Sequence, residues 1–458
     1  MRALRGTGLL IGGSVAKKGF FGWKLIFILW TIIILNFAFP TFGTSVVNTY
    51  MAKAMHMNRA KLGLAYSVFS LMAGLPGPLV ARSINKLGIR ATLVIGSVFS
   101  ACGAFMMGTF VSTTTQVLIV LGFVVAAGGS MAGTVTPQVA VARWFHRKRA
   151  LAMSLLLTAS GIGGAIAVPI LNATIAREGG NWRAAWRLMG TTSLIAAVLS
   201  ALLVKNSPEE MGQVADGERE LEAEAEASGG VASLAGDAGV RASRGGGAFK
   251  TREEWTLGEA LKAPALWLLV STYLGFFMGF FIYVAHGIAH LEGLGHSPAE
   301  AATSISVIFI SSLIGQTTVA ALGDRIEPRF ISAIAVCVYG AGTLMAIHAV
   351  DVRTMYIYAI MMGAGFSAAF TCLMTLQSNY FGPKVYPALL GITTPIGTIL
   401  GSVGPVTAGI IFDKYKTYAG VFEIVAGICF ASAILYLLAK PPVLKRAARP
   451  VGAAIEPT

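Results

Sequence analysis

Arg143-Trp144-Phe145-His146-Arg147-Lys148-Arg149 stands between two long apolar stretches, and its pattern returns 236 residues later. Trp144-Phe145 and Lys148, followed by Gly161 and Pro169, recur as Tyr380-Phe381 and Lys384, followed by Gly397 and Pro405. Upstream of each copy lies a second matched pair. Ala81-Arg82-Ser83-Ile84-Asn85-Lys86-Leu87-Gly88-Ile89-Arg90 aligns with Ala320-Ala321-Leu322-Gly323-Asp324-Arg325-Ile326-Glu327-Pro328-Arg329 at an offset of 239. Small, polar and basic positions match at the same point of each half. The chain is therefore two copies of one unit.

Outward from these repeats the sequence is built of apolar blocks. Crossing about 30 Å of hydrocarbon takes about 20 helical residues. Stretches of that length fall at 25–48, 62–81, 91–110, 116–142, 150–176, 185–204, 264–289, 300–322, 330–349, 354–379, 386–412 and 418–439. The composition agrees, with 55% hydrophobic and only 12% charged residues and a mean hydropathy of +0.71. Soluble domains carry about 25% charge, so a disordered chain, a fibre and an ordinary soluble enzyme are excluded. The expected fold is all-α and integral to the membrane: twelve transmembrane helices in two six-helix pseudo-symmetric bundles. Repeats of this kind face each other across a central cavity in alternating-access transporters.

The N-terminal bundle is assigned to 1–204, with a short leading segment at 1–23, and the C-terminal bundle to 264–440, with a tail at 441–458. Between them, 205–263 holds Glu218, Glu220, Glu222, Glu224 and Glu226, then a small-residue tract ending in Gly245-Gly246-Gly247. That composition buries too little surface to fold alone and predicts a flexible linker. Thr256-Leu257-Gly258-Glu259 fits a capping box and predicts a short interfacial helix tethering the linker to the membrane face. With the N-terminus inside, basic residues number 25 on one side and 8 on the other. This places both termini and the linker in the cytoplasm, as a multi-pass protein of the plasma (inner) membrane. The same asymmetry accounts for the net charge of +14, which in a soluble chain would point to nucleic acid; no such partner is expected. The apolar run at 8–16 is too short to span and lacks a cleavage site, so no cleaved signal peptide is read. Cys102, Cys337, Cys372 and Cys429 lie far apart in apolar stretches and are predicted to be small buried hydrophobes. Neither a metal, a cofactor nor a disulfide is expected.

At Asn85-Lys86-Leu87-Gly88-Ile89-Arg90 and Asp324-Arg325 the sequence resembles the loop signature of the major facilitator superfamily, G-x-x-x-D-R-x-G-x-R. Within it, the monocarboxylate transporter group and its oxalate/formate-antiporter-like branch are the most similar. Phe21-Gly22-Trp23, the run from Ala142 to Ala152, Ser160-Gly161-Ile162-Gly163-Gly164, Asn181-Trp182-Arg183, Ser207-Pro208-Glu209-Glu210-Met211-Gly212 and Gly404-Pro405 with Asp413 carry the resemblance. It implies a gating role for Asn85, Lys86, Gly88, Arg90, Asp324, Arg325 and Arg329. The first copy departs at Ala81 and Asn85, where the signature has Gly and Asp, and the second at Glu327, where it has Gly. The resemblance also implies a cavity lined by spans one, four, five, seven, eight, ten and eleven.

An ionisable side chain in hydrocarbon is costly and marks function, yet mid-span positions here hold almost none. Span eight, Thr303 to Ala320, has no Asp or Arg where the resembled transporters carry one; Ser312 and Gln316 stand there instead. What remains is neutral hydrogen bonding. Asn36 lies about 18 Å into span one. Tyr283 and His286 share a face of span seven, and Gln316, Thr134, Gln138, Thr371 and Thr394 complete the candidate substrate contacts. A broken helix at Thr394-Pro395-Ile396-Gly397 is expected to turn its positive end to an anion. His286, with an imidazole that titrates near neutral pH, is the candidate for proton coupling; the alternative is a water-facing histidine beside His290 and His296.

The expected function is secondary active transport of a small organic anion, a monocarboxylate above all, by alternating access and as a monomer, with protons as a candidate co-substrate and no enzymatic activity. Two alternatives stand: the same carrier with a neutral or hydrophobic solute, and a transporter-like sensor signalling through the linker.

Overall fold

The structure is a computed structural model that describes residues 20–145, 148–216, 248–251, 253–323, 325–382 and 384–444. Asp324 therefore lies outside the described residues. Among those described, eleven helices are long and apolar enough to cross a bilayer. The first is α1 (Gly22–Ala54). One 33-residue helix, Gly77–Thr109, is in fact the end of one span and the whole of the next, because Gly88 adopts φ +85° and breaks the ladder. Only glycine takes that conformation without steric cost. Residues 77–87 join Arg59–Gly74 across a break at Leu75-Pro76, and together they make α2 (59–87); α3 is 89–109. Proline has no N–H to continue the first piece. The break is why α2 alone escapes a search for uninterrupted apolar helices.

The other spans are α4 (Thr114–Trp144), α5 (Arg149–Arg177), α6 (Trp182–Leu203), α7 (Pro264–Gly293), α8 (Pro298–Leu322), α9 (Pro328–Ile347), α10 (Val352–Phe381), α11 (Tyr386–Tyr415) and α12 (Ala419–Leu438). Their starts follow from local chemistry. Asn58 accepts the amide of Lys61 at 3.0 Å, Asp351 that of Thr354 at 2.9 Å, and Thr113 and Ser297 form capping boxes with Gln116 and Glu300. Each satisfies amides that a helix start leaves without partners. Thr256 and Glu259 form the expected capping box before the short helix Leu257–Lys262.

Spans α1, α4 and α7 depart from regular α-helix, the last by an interruption at Thr272 between Pro264–Ser271 and Tyr273–Gly293. Ile34–Ala38 in α1 and Val120–Val125 in α4 are π-helical, and α4 breaks again at Gly133, with ψ −124°. By contrast α11 runs unbroken through Pro395 and Pro405, so the expected break at Thr394–Gly397 does not form. One lost hydrogen bond per proline is tolerated when the flanking ladder is intact and neighbouring spans pack against it.

The face that carries residues 205–216 and 248–256, here the linker face, is pinned by two related aromatic clusters. Trp144 and Phe145 are fully buried and pack on Phe20, Phe21 and Trp23. Asp216 closes over them, its amide donating to the Trp144 carbonyl at 3.1 Å and its carboxylate accepting the Lys148 amide at 3.0 Å. In the second half Phe249 packs on Tyr380 and Trp255 on Phe381, and the Thr251 amide donates to the Asn379 carbonyl at 2.8 Å. The repeated aromatic pairs thus hold the same station in both halves. Large apolar side chains such as Phe27 and Ile334 are exposed on the outer sides of the spans, as a lipid-facing surface demands. Cys102 shares that surface, which corrects the expectation that all four thiols are buried: it sits on an apolar helix, but on its outward face.

Candidate functional site

Contacts between the halves begin at the face opposite the linker. At the ends of α1 and α7, Lys53 donates to Glu292 at 2.6 Å. Asp413 of α11 accepts the amides of Arg59 and Ala60, each at 3.0 Å, with one carboxylate oxygen apiece. It therefore caps the N-terminus of α2 from the other half of the molecule, where a negative charge is stabilised by the free amides. Below it the backbones meet directly. A β-carbon on Gly63 would strike the Pro405 carbonyl, and one on Gly409 would strike that of Arg59. Deeper still, Ser67 accepts the Val406 amide at 3.2 Å and Tyr66 packs on Phe281. The innermost layer is aromatic: Phe42 of α1 lies 4.1 Å from Phe309 of α8 and 6.4 Å from Phe280 of α7, ring to ring.

Past this layer come further close approaches between the halves. Gly161 of α5 faces Ser312 of α8, and Gly74 of α2 faces Thr398 of α11. One helical turn nearer the linker face, on the same sides of α8 and α11, Gln316 and Thr394 are half-buried. The cause is the break at Pro76: Arg59–Gly74 runs along α11, whereas the helix beyond Pro76 makes no comparable packing against it. Among the described residues, the hydrogen bonds and ion pairs that join the halves all lie on the far side. The halves are tied together opposite the linker, with no such tie among the described residues on the linker side.

The candidate residues fall into two groups on this frame. Thr134, Gln138, Gln316, Thr371 and Thr394 are half-buried. Asn36, Tyr283 and His286 are buried and already bonded. Asn36 donates to Ser97 of α3 at 2.7 Å. The Tyr283 hydroxyl pairs with that of Tyr358 in α10. His286 meets the Pro405 carbonyl through Nε2 at 2.9 Å and the Tyr418 hydroxyl through Nδ1 at 3.2 Å. A carbonyl only accepts, so Nε2 donates to Pro405, and in the neutral imidazole Nδ1 accepts from Tyr418. His290 and His296 are likewise buried against the carbonyls of Ala346 and Ala349; none of the three faces water. Each brace joins spans that sequence alone cannot pair.

Of the loop-signature residues, Asn85, Lys86 and Arg325 are exposed. Arg90 reaches the Val204 carbonyl at 2.7 Å and Glu210 at 2.9 Å, while Asn206 accepts the Arg90 amide at 2.9 Å. Its partners come from residues 204–210, at and just beyond the end of α6, not from Asn85. In the second half Arg329 lies over Phe330, and Glu327, at the position of Gly88, accepts the Phe249 amide at 2.7 Å and the Tyr380 hydroxyl at 3.2 Å. Asp413, which closes the opposite face, was not among the site residues expected from sequence, although it belongs to the Gly404-Pro405 motif.

The family model of the Major Facilitator Superfamily matches residues 29–292 and 288–457. The chain belongs to the major facilitator superfamily. It is a multi-pass membrane transporter, not an enzyme. Among curated members, it is 26% identical to monocarboxylate transporter 13 of Bos taurus over 80% of this chain and 76% of that one. It is 20% identical to monocarboxylate transporter 2 of Homo sapiens over 92% and 85%. The fold of this superfamily member matches solved structures of a nucleoside transporter, at TM-score 0.66, 15% identity and coverage of 91% and 99%, and of a D-xylose–proton symporter, at 0.66, 16%, and 93% and 99%.

Proposed function

We propose that this superfamily member carries a small organic anion of the monocarboxylate class by alternating access. The observation that carries the reading is that the ties between the halves lie on one face only, beyond the Phe42–Phe309 layer, which supports a path from the other face bordered by neutral polar side chains. Relatives named as monocarboxylate transporters, aligned over most of both chains, supply the substrate class. Gln316 and Thr394 are assigned to contact the solute, with Thr134, Gln138 and Thr371 as further lining. Asn36, Tyr283 and His286 are assigned to bracing the spans. The open face is the cytoplasmic one on the distribution of basic residues, so the molecule stands inward-facing in the plasma membrane, with 1–204 and 264–440 as the rocking bundles and 205–263 between them. Asn85, Lys86, Gly88, Arg90, Asp324, Arg325 and Arg329 retain the gating role on that same face.

Counterflow in proteoliposomes tests this. Vesicles preloaded with each of a panel of short carboxylates are expected to accumulate labelled lactate or another member of the panel, and Gln316→Ala to lower the uptake. Uptake of no carboxylate would refute the anion reading. The lack of any arginine in α8 favours one second reading, an uncharged solute, which the same assay identifies with neutral labelled compounds.

A further inference from the structure

Three spans of the second half bring Thr394, a substrate contact expected from sequence, together with two polar groups that were not, Tyr273 and Gln377. Tyr273 of α7 and Gln377 of α10 are both fully buried. Gln377 accepts a hydrogen bond from Thr393 of α11 at 3.3 Å through Oε1, but its Nε2 has no partner, and neither has the Tyr273 hydroxyl. That hydroxyl neighbours Gln377, Thr393 and Thr394, near enough to interact with each, but none of them meets it at full hydrogen-bond geometry. Its ring cannot swing to find another partner. A β-carbon at Gly397 would come within 2.5 Å of it, and Phe276 and Phe277 pack on it at 5.8 and 5.3 Å.

Buried polar atoms are nearly always satisfied, and two orphans side by side call for an explanation. The character of these two decides what would satisfy them. An amide nitrogen only donates, and a tyrosine hydroxyl has one proton to give. An acceptor would satisfy both at once, whereas a cation would find only the hydroxyl oxygen and would meet the positive edge of the amide N–H. Thr394, half-buried on the side of α11 that faces the other half, connects the pair to the proposed path. From the lengths of α7, α10 and α11, the cluster lies about 6–14 Å inside their linker-face ends.

We infer that Tyr273, Gln377 and Thr394 form a subsite that receives the carboxylate of the transported solute from the linker face. The inference rests on the anion reading above and gives it a location. One carboxylate oxygen accepts from Gln377 Nε2 and the other from the Tyr273 hydroxyl, with Thr394 at the entrance. Donors held in a dry, shaped site do for the anion what an arginine does elsewhere, without a buried charge to neutralise when the site is empty.

The test uses the full chain in proteoliposomes, with Tyr273→Phe and Gln377→Leu, each checked for monodispersity and thermal unfolding, and a panel of carboxylates with their neutral methyl esters as probes. Loss of one charge-assisted hydrogen bond is expected to raise the KM for the carboxylate about ten- to a hundredfold in either variant. The esters are expected to be affected less than the acids. Gln377→Glu, which sets a negative charge where a donor was, is expected to abolish carboxylate uptake in folded protein. Tyr273→Phe removes a single oxygen and stands as the decisive variant should the Gln377 changes fail to fold. Wild type that carries a carboxylate while Tyr273→Phe keeps its KM within twofold would overturn the subsite and leave the transport function intact. Wild type that carries no acid, but carries a neutral carbonyl solute with a KM sensitive to Tyr273→Phe, would overturn the carboxylate assignment together with the anion reading.

Discussion

Replacing Asp413 with alanine removes the cap that one half places on the other. The structure sets the size of the effect. Two backbone N–H groups, of Arg59 and Ala60, lose their carboxylate acceptor at 3.0 Å. Losing a helix cap costs about 0.5–2 kcal/mol, and a hydrogen bond to a charged group about 1.5–3 kcal/mol. These groups lie at a part-buried edge where water takes over much of the bonding. A net loss of about 1–2 kcal/mol is therefore expected. The interaction exists only while the far face is shut, so the whole loss appears in the opening equilibrium, as an increase of about 5–30-fold in the open fraction. Ser67, nearly buried between α2 and α11, reports it. With cysteine at 67 in a background lacking the native thiols, labelling by an impermeant maleimide from the far face is expected to quicken by that factor in Asp413→Ala. Asp413→Asn, which keeps one neutral acceptor, falls between. Equal labelling rates in all three proteins would refute the claim that Asp413 holds the far face shut.

Gly63→Ala sets a β-carbon against the Pro405 carbonyl; it is expected to leave the fold intact in thermal unfolding, open the far face to the same maleimide probe and slow counterflow. Lys53→Ala is expected to change far-face labelling by no more than about fivefold, because an ion pair with one partner 61% exposed is worth about 0–1 kcal/mol. Trp144→Ala empties a fully buried site and is expected to cost about 3–5 kcal/mol of stability, read as early unfolding in detergent. The Asp351 carboxyl titrates below its ordinary value because the Thr354 hydroxyl and then the Thr354 amide bond its charged form. Its stabilisation of the start of α10 is therefore present above the unfolded-chain pKa and fades as pH falls through the lower folded value. Hydrogen exchange at the start of α10 is expected to separate wild type from Asp351→Ala at pH 7 and not at pH 2.

Much of the architecture was legible because it rests on length and repetition. Eleven spans are long enough to declare themselves, and the matched motifs 236 residues apart mark equivalent aromatic clusters. The Thr256–Glu259 cap is local, and local chemistry sufficed to find it. Pairing between spans was not legible, because the side chain that meets Asn36 or Tyr283 depends on helix rotation and depth. Asn36 and His286 were picked out from sequence, but their bonds, to Ser97 and to Pro405 and Tyr418, were not. Gln377 and Tyr273 gave no signal, since each is an ordinary residue in an apolar span until the other is placed beside it. Prolines misled in both directions: Pro76 breaks its helix and bends α2 away from α11, whereas Pro395 leaves α11 continuous.

The cap that Asp413 provides has a consequence for how the two halves vary over generations. Its partners at 59 and 60 are main-chain amides, so almost any side chain at those positions leaves the lock whole. Comparison of related sequences would show a constrained acid with no residue changing in step with it, however strong the coupling. Proline at 60 is the exception. A first-turn proline suits a helix, so Ala60→Pro would delete one donor to Asp413 while sparing α2, and would expose a dependence that pairwise variation conceals.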